Sequence, residues 1–492
     1  MDQSRYRARR AEFLDKLGDA VAVVPAGKEQ VRNDDVTHEF RQSSDFFFLT
    51  GFPEPDAVAV FDPRSDTEAY TLFVRPRDEV MEAWNGLRVG VDGAVERYGA
   101  DAAYPVEELE EWLRTRLVGA DAIAYALGNA AYDSTIIKAL NTGFAHSDRI
   151  GTASPSGIVD PRPILSEMRL IKSPPEIDAL KEACGISAIA HTEAMRFAAP
   201  GRTERQVAAV IAFVAASMDS ERLGYPSIVA GGDNACILHY VDNDKPLRDG
   251  ELLLIDAGAE FRHFTADITR TFPINGTFTA AQRALYDLVL ATHKAIIAMV
   301  KPGLVYADMH TTATRLLSDG LVDLGLLPGT GDEALAKGWY RQFFFHGTGH
   351  WLGSDVHDAG AYRRERASRA LESGMAFTVE PGLYVARNKT RISLGQAPYD
   401  PDEVTELTLR LGISAAKAEL DQRNSDAGTV DFEVPAEFLG IGVRIEDDIL
   451  VIPDGAENMT AMVPVDPDAV EAVCAEPSTV PVFAPDAKGA LE

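Results

Sequence analysis

A chain of 492 residues is longer than one ordinary hydrophobic core organises, so at least two domains are expected. Its apolar share of 46% and charged share of 25% are those of a globular protein, and no run of about 18 apolar residues appears, so a membrane span is not expected. The net charge of −29 and the absence of basic clusters disfavour nucleic acid as a partner.

The N-terminus, MDQSRYRARRAEFLDKL, carries basic residues with no apolar segment behind them and no small-residue cleavage site, so it does not read as a signal peptide. Cys184, Cys236 and Cys474 suit neither a disulfide framework nor a zinc cluster, which leads us to expect a cytoplasmic protein with buried thiols. In the first third, AVAVVPAG, FFFLTG, AVAVFDP and YTLFVRP are strand-like and EELEEWLRTRL is an amphipathic helix. This mixture predicts a small α/β domain over residues 1–163. It ends at the proline-rich Asp160-Pro161-Arg162-Pro163, with a second domain from Ile164 to about residue 470. Ser173-Pro174-Pro175-Glu176 opens a long helix.

Inside the second domain, the segment from His191 to Pro200-Gly201 matches the segment from His293 to Pro302-Gly303 in length. An amphipathic helix and then strand-rich sequence follow each. Helices joined by Pro-Gly are common, but two related helix–helix–strand halves would frame a cleft suited to a site. Residues 388–437 show one helical pattern and read as a surface insertion, a lid or a subunit contact. Residues 471–492 are expected to form a mobile tail.

The strongest local signal is the pair of β-rich runs around Asp256 and Asp267. A hairpin centred between Phe261 and Arg262 would set these two carboxylates directly opposite each other, where like charges destabilise a sheet. A bridging cation would compensate; a register slip or a proton-sharing dyad are the alternatives. His346, His350 and His357 then fall within twelve positions, in Phe345-His-Gly-Thr-Gly-His-Trp-Leu-Gly-Ser-Asp-Val-His357. A lone histidine is more often a core or surface group, but three together point to function. In Met375-Ala-Phe-Thr-Val-Glu380-Pro381, Glu380 points away from the apolar face and Pro381 ends or edges the strand. In Gly442-Val-Arg444-Ile-Glu446, Arg444 and Glu446 share a face; an internal salt bridge is the plainer reading. Together Asp256, Asp267, His350, Glu380 and Glu446 form an oxygen-rich set suited to manganese, cobalt, iron or zinc. Bridging carboxylates hold two such ions about 3.5–4 Å apart, with a hydroxide between them as nucleophile.

These patterns, IDAG…ADITRTF, HGTGHWLGSDVHD, TVEPGLY and GVRIEDD, resemble the pita-bread metallopeptidases, and most closely the aminopeptidase P group of Xaa-Pro aminopeptidases. FRQSSDFFFLTGFPEPDAV and EAWNGLRVG resemble that group's smaller N-terminal domain, so the likeness runs to about residue 470. It implies an α/β N-terminal domain plus an α+β pita-bread catalytic domain with pseudo-two-fold halves. It further implies an enzyme with two divalent ions, manganese first and cobalt, iron or zinc as alternatives, that acts on peptides with proline in second position and forms a homodimer or homotetramer. By the same resemblance, Asp256 chelates one metal, Asp267 and Glu446 bridge, and His350 and Glu380 complete the other site, Glu380 also shuttling a proton. His239 and His357 hold the substrate carbonyl and tetrahedral intermediate, His346 lies near the leaving group, and Arg444 orients a ligand carboxylate. Trp84 and Arg88 match positions that reach a neighbouring subunit's site, while His263 reads as a turn residue. The insertion after Tyr384 departs from the pattern. A dipeptide-restricted prolidase is the nearest rival reading; a methionine aminopeptidase, a creatinase-like hydrolase and a metal-free binding module on the same fold are further ones.

Overall fold

The valine-rich Val21–Pro25 lies inside a six-stranded sheet whose order is Ala102–Pro105, Tyr70–Val74, Val58–Phe61, Val21–Pro25, Ile123–Ala124 and Ile158–Val159. Successive side chains of a strand point to opposite faces. Val21 and Val23 accordingly pack into one cluster with Leu113 and Ile136, and Ala22 and Val24 into another with Phe13 and Phe46. The computed structural model describes residues 3–481, apart from the side chains of 146–148 and 150. It divides into two compact units, Met1–Arg169 and Leu170–Glu492. A helix, Arg162–Leu170, runs through the boundary expected at Pro163 and Ile164.

One element of the first unit differs from expectation. The run FFFLTG belongs to a helix, Ser44–Thr50, closed by Gly51 in the left-handed conformation at φ 62°. A short apolar run fits a buried helix as well as a strand, and here burial of Phe46, Phe48, Leu49 and Thr50 is achieved with helical spacing. The other three strand-like runs and the helix Leu109–Arg116 form as read.

In the second unit the long helix α1 (Pro174–Phe197) starts where the backbone N–H of Ser173 donates to Glu176 Oε2 at 2.7 Å, with two prolines in its first turn. After Pro200-Gly201 comes α2 (Glu204–Ser217); α3 (Ala280–Met299) is followed by Pro302-Gly303 and α4 (Tyr306–Asp323). Gly201 and Gly303 both adopt φ 86°, a region costly for a residue with a Cβ, so the two breaks share one backbone conformation. The corresponding His191 and His293 are both buried: His191 Nε2 meets the Ala257 carbonyl at 2.9 Å, and His293 Nε2 lies 3.4 Å from Asp447 Oδ2.

The first half carries the antiparallel strands β1 (Ile228–Gly231), β2 (Leu252–Ala257) and β3 (Ile268–Pro273). The second carries β4 (Ala376–Val379), β5 (Gly382–Val385), β6 (Ile441–Arg444) and β7 (Asp447–Ile452), with β4 paired to β7 and β5 to β6. An isolated β-bridge, Thr269 with Glu446, joins the halves.

The β2–β3 register corrects the hairpin expectation. Asp256 faces Thr269, not Asp267, and the turn is centred between Arg262 and His263, both at positive φ. Asp267 is therefore the diagonal neighbour of Asp256 on the same face, still within reach of its side chain. Val379 faces Asp447 and Gly382 faces Arg444, a common register that sets Glu380 across from Glu446 where both strands are interrupted.

Residues 388–437 hold two helices where one was expected, Pro401–Leu411 and Ile413–Ala427, framed by the paired strands Arg391–Gly395 and Thr429–Glu433. The helix Pro467–Cys474, with Val470 fully buried, occupies the start of the segment read as a tail. Apolar side chains at Val470 and Val473 anchor it, and residues 482–492 of that reading lie outside the described residues. Cys184 is buried, but Cys236 and Cys474 are only half-buried. No helix of the described residues is long and apolar enough to cross a membrane.

Candidate metal centre

The interrupted strands aim carboxylates at one place. Asp256 and Asp267 come from β2 and from the residue preceding β3, Glu380 and Glu446 from the breaks between β4 and β5 and between β6 and β7. His350 comes from the glycine-rich loop that follows Phe345. A cavity of about 270 Å³ is lined by the nine residues given ligand or catalytic roles from the sequence: Asp256, Asp267, His350, Glu380 and Glu446, with His239, His346, His357 and Arg444.

Ligand-like atoms of Asp267, His350 and Glu446 lie within 4.8 Å of one another. His350 Nε2 is 3.3 Å from Asp267 Oδ2 and 3.8 Å from Glu380 Oε1. Its Nδ1 is 3.1 Å from the Trp351 carbonyl, a contact that requires Nδ1–H and so leaves the Nε2 lone pair facing the carboxylates. The His357 ring stacks on it at 3.9 Å between centroids.

Four carboxylates share this buried space, and among the described residues Arg444 is the only lysine or arginine lining it. The guanidinium Nη2 donates to Asp256 Oδ2 at 2.5 Å, whereas its Nε stands 4.0 Å from Glu446 Oε2, so the salt bridge read between Arg444 and Glu446 is the weaker of the two contacts. Burial, reinforced by neighbouring carboxylates, pushes Asp267 and Glu446 well above the usual carboxylate range and Glu380 to about 7. A set of hard oxygen donors short of positive charge, with one imidazole lone pair, fits a divalent cation.

Two of the histidines around this set, His346 and His357, are held neutral. Burial lowers His357 to about 4 and His346 to about 3. His346 Nε2 lies 2.8 Å from the Tyr384 hydroxyl, which also accepts from Arg444 Nη1 at 3.2 Å.

Comparison with known proteins agrees with this geometry. Residues 178–453 match the model of metallopeptidase family M24, and residues 6–125 match the aminopeptidase P N-terminal domain. The chain belongs to metallopeptidase family M24. It is 38% identical to the Xaa-Pro aminopeptidase of Escherichia coli over 475 residues, which is 96% of this chain and 98% of that one. The solved Pseudomonas aeruginosa aminopeptidase PepP superposes with a TM-score of 0.85 at 38% identity, covering 96% of this chain and 98% of that one. A Zn-substituted E. coli aminopeptidase P in complex with product gives 0.84 at 38% identity with the same coverages. The M24 chain is thus an Xaa-Pro-type metallo-aminopeptidase with the expected pita-bread catalytic domain and aminopeptidase P-type N-terminal domain.

Sequence reading missed several groups that shape this M24 site. The Tyr225 hydroxyl lies 2.6 Å from Asp256 Oδ1 and 2.5 Å from Asp267 Oδ1, tying the two carboxylates together. Thr269 Oγ1 donates to Glu446 Oε2 at 2.6 Å and accepts from Arg444 Nε at 3.0 Å. Asp448 Oδ2 accepts from the Asp267 backbone N–H at 3.0 Å. Thr269 was discoverable from the correct hairpin register, and Tyr384 from its place just after Glu380. Tyr225 sits in a short connection with no local pattern.

Proposed function

We infer that this metallopeptidase removes the N-terminal residue from peptides whose second residue is proline. The observation that carries the reading is the convergence of four carboxylates and one imidazole lone pair on one small cavity. At about 270 Å³, just below the usual size of ligand pockets, it suits the end of a peptide better than a stretch of one. Asp256, Asp267, His350, Glu380 and Glu446 would hold two divalent ions, Asp267 and Glu446 bridging, with manganese favoured over cobalt, iron or zinc. Such ions, when bound, supply Lewis-acid charge that activates a water and binds the free amine of the substrate.

The chain's own residues do the rest. Glu380 takes a proton from the attacking water as its oxygen bonds to the scissile carbonyl carbon. It then delivers that proton to the proline nitrogen as the C–N bond breaks. His357, neutral because of burial, and His239 on the same cavity donate to the carbonyl oxygen as it gains charge. His346, steadied by Tyr384, stands on the leaving-group side, and Arg444 orients Asp256. Proline is accepted because its nitrogen brings no N–H needing a partner.

The enzyme is proposed to work as a homodimer or homotetramer, with Trp84, which is 82% exposed, and Arg88 reaching the active site of a neighbouring subunit. Free cysteines accord with a cytoplasmic setting. The deciding experiment compares Xaa-Pro-Xaa tripeptides with Xaa-Pro dipeptides on protein purified without chelator and assayed for metal. Turnover of tripeptides with about two metals per chain is expected; hydrolysis of dipeptides alone would make it a prolidase.

A further inference from the structure

His239, the cavity residue with the least local pattern in the sequence, sits on an exposed loop between β1 and β2. Precise placement of such a residue needs an anchor outside the loop. The anchor is visible in the hydrogen bonds of Glu204, the first residue of α2, whose side chain is completely buried. Its Oε1 accepts from the Gly231 backbone N–H at 2.9 Å and from Asn234 Nδ2 at 2.8 Å. Its Oε2 accepts from the Tyr240 hydroxyl at 2.8 Å and from the Lys245 backbone N–H at 2.9 Å.

An ionised carboxylate offers about four acceptor sites, and here four donors use them. Gly231 ends β1 and the other three donors lie in the loop that follows it, so the four bracket His239 on both sides. Tyr240, the neighbour of His239 in the chain, is itself buried and tied to Glu204 through its hydroxyl. A second clasp closes the loop's far end: Asn243 Oδ1 accepts from the Val229 N–H at 2.9 Å, and Asn243 Nδ2 donates to the Ser227 carbonyl at 2.8 Å. Glu204 itself lies outside the lining of the cavity.

We propose that Glu204 is a positioning residue for catalysis, acting through the 231–245 loop to hold His239 at the scissile carbonyl. This rests on the role assigned to His239 above. Glutamine at this position keeps the shape but turns an NH2 group toward two of the four donors, and the Lys245 and Gly231 N–H groups cannot reverse to accept. Tyr240→Phe removes a single donor and leaves the carboxylate in place.

The test is a double-mutant cycle on the metal-loaded enzyme. Glu204→Gln and Tyr240→Phe are each made alone and with His239→Ala, and kcat and KM are measured on an Xaa-Pro-Xaa tripeptide beside bound metal and Tm. Glu204→Gln is expected to lower kcat/KM about 10–100-fold, the scale of an ångström-sized misplacement, with bound metal unchanged. Added to His239→Ala, it should cost less than about twofold more, because the two changes remove one function. Losses that multiply in the double variant, loss of metal, or wild-type kinetics of Glu204→Gln would overturn the proposal. Full turnover by His239→Ala would remove the reading of His239 and this proposal with it. A slow His239→Ala beside an unimpaired Glu204→Gln removes the proposal alone. Where Glu204→Gln does not fold, the same cycle with Tyr240→Phe decides by the same criterion.

Discussion

Replacing Lys172 by methionine should cost the second unit much of its stability and slow the enzyme, although Lys172 lies outside the lining of the cavity. Its ammonium donates to Asp358 Oδ2 at 2.8 Å, and both side chains are 1% exposed. Methionine nearly fills the same volume, so the cost is electrostatic: the buried Asp358 carboxylate loses the Lys172 ammonium. Breaking such a pair from one side costs about 3–5 kcal/mol, against a total stability of about 5–15 kcal/mol. At about 2 °C per kcal/mol for a unit of this size, Tm should fall by about 6–10 °C. Activity should fall too, since Asp358 follows His357, whose ring is stacked on His350. Scanning calorimetry at one saturating metal concentration is the assay, because metal bound to the folded state would otherwise contribute. Lys172→Met with Asp358→Asn should regain most of the loss, since the buried charge that lost its ammonium is gone. A single variant less than about 1 kcal/mol destabilised, or a double variant no better than the single, would refute the electrostatic account.

Asp267→Ala should abolish turnover and empty one metal position while far-UV circular dichroism stays native; full activity with two metals bound would reject its bridging role. His357→Ala should slow turnover about 10²–10³-fold, the scale of a lost oxyanion donor, with metal content unchanged by elemental analysis. Thr269→Val removes the hydroxyl between Glu446 and Arg444, and metal affinity by titration should weaken about 10–100-fold. His293 is lowered by burial to about 4, below its unfolded value near 6.5, so the unfolded chain binds the extra proton between these values and the stability held above pH 6.5 is lost on acidification. The stability gap between wild type and His293→Phe should therefore shift by about 3 kcal/mol toward the variant from pH 7 to pH 4, and a gap independent of pH in urea titrations would contradict the burial of a neutral ring.

How much of this was legible in the sequence depends on the range over which each feature is encoded. Alternating apolar strands, the Ser173–Glu176 helix start and the paired Pro-Gly breaks are local, and they appear as read. FFFLTG failed because six residues carry no period long enough to separate helix from strand. Glu204, Tyr225 and Asp448 act through partners 27 to 181 positions away, and no local pattern announces such contacts. The hairpin shows why a wrong detail left the site intact. Moving the turn centre by one residue moves the strand pairing by two, from Asp267 to Thr269 opposite Asp256. A slip of one pairing position would have turned Asp267 to the other face; a slip of two preserves the alternation and merely makes the aspartates diagonal. The directly opposed like charges expected there occur instead at Glu380 and Glu446, where two strands separated by the insertion are both interrupted. Each face was readable from one strand's own alternation, whereas the partner across the ladder depends on how two strands meet. A cation-binding set tolerates that ambiguity because the diagonal and the direct pair both place their oxygens on the same side of the sheet.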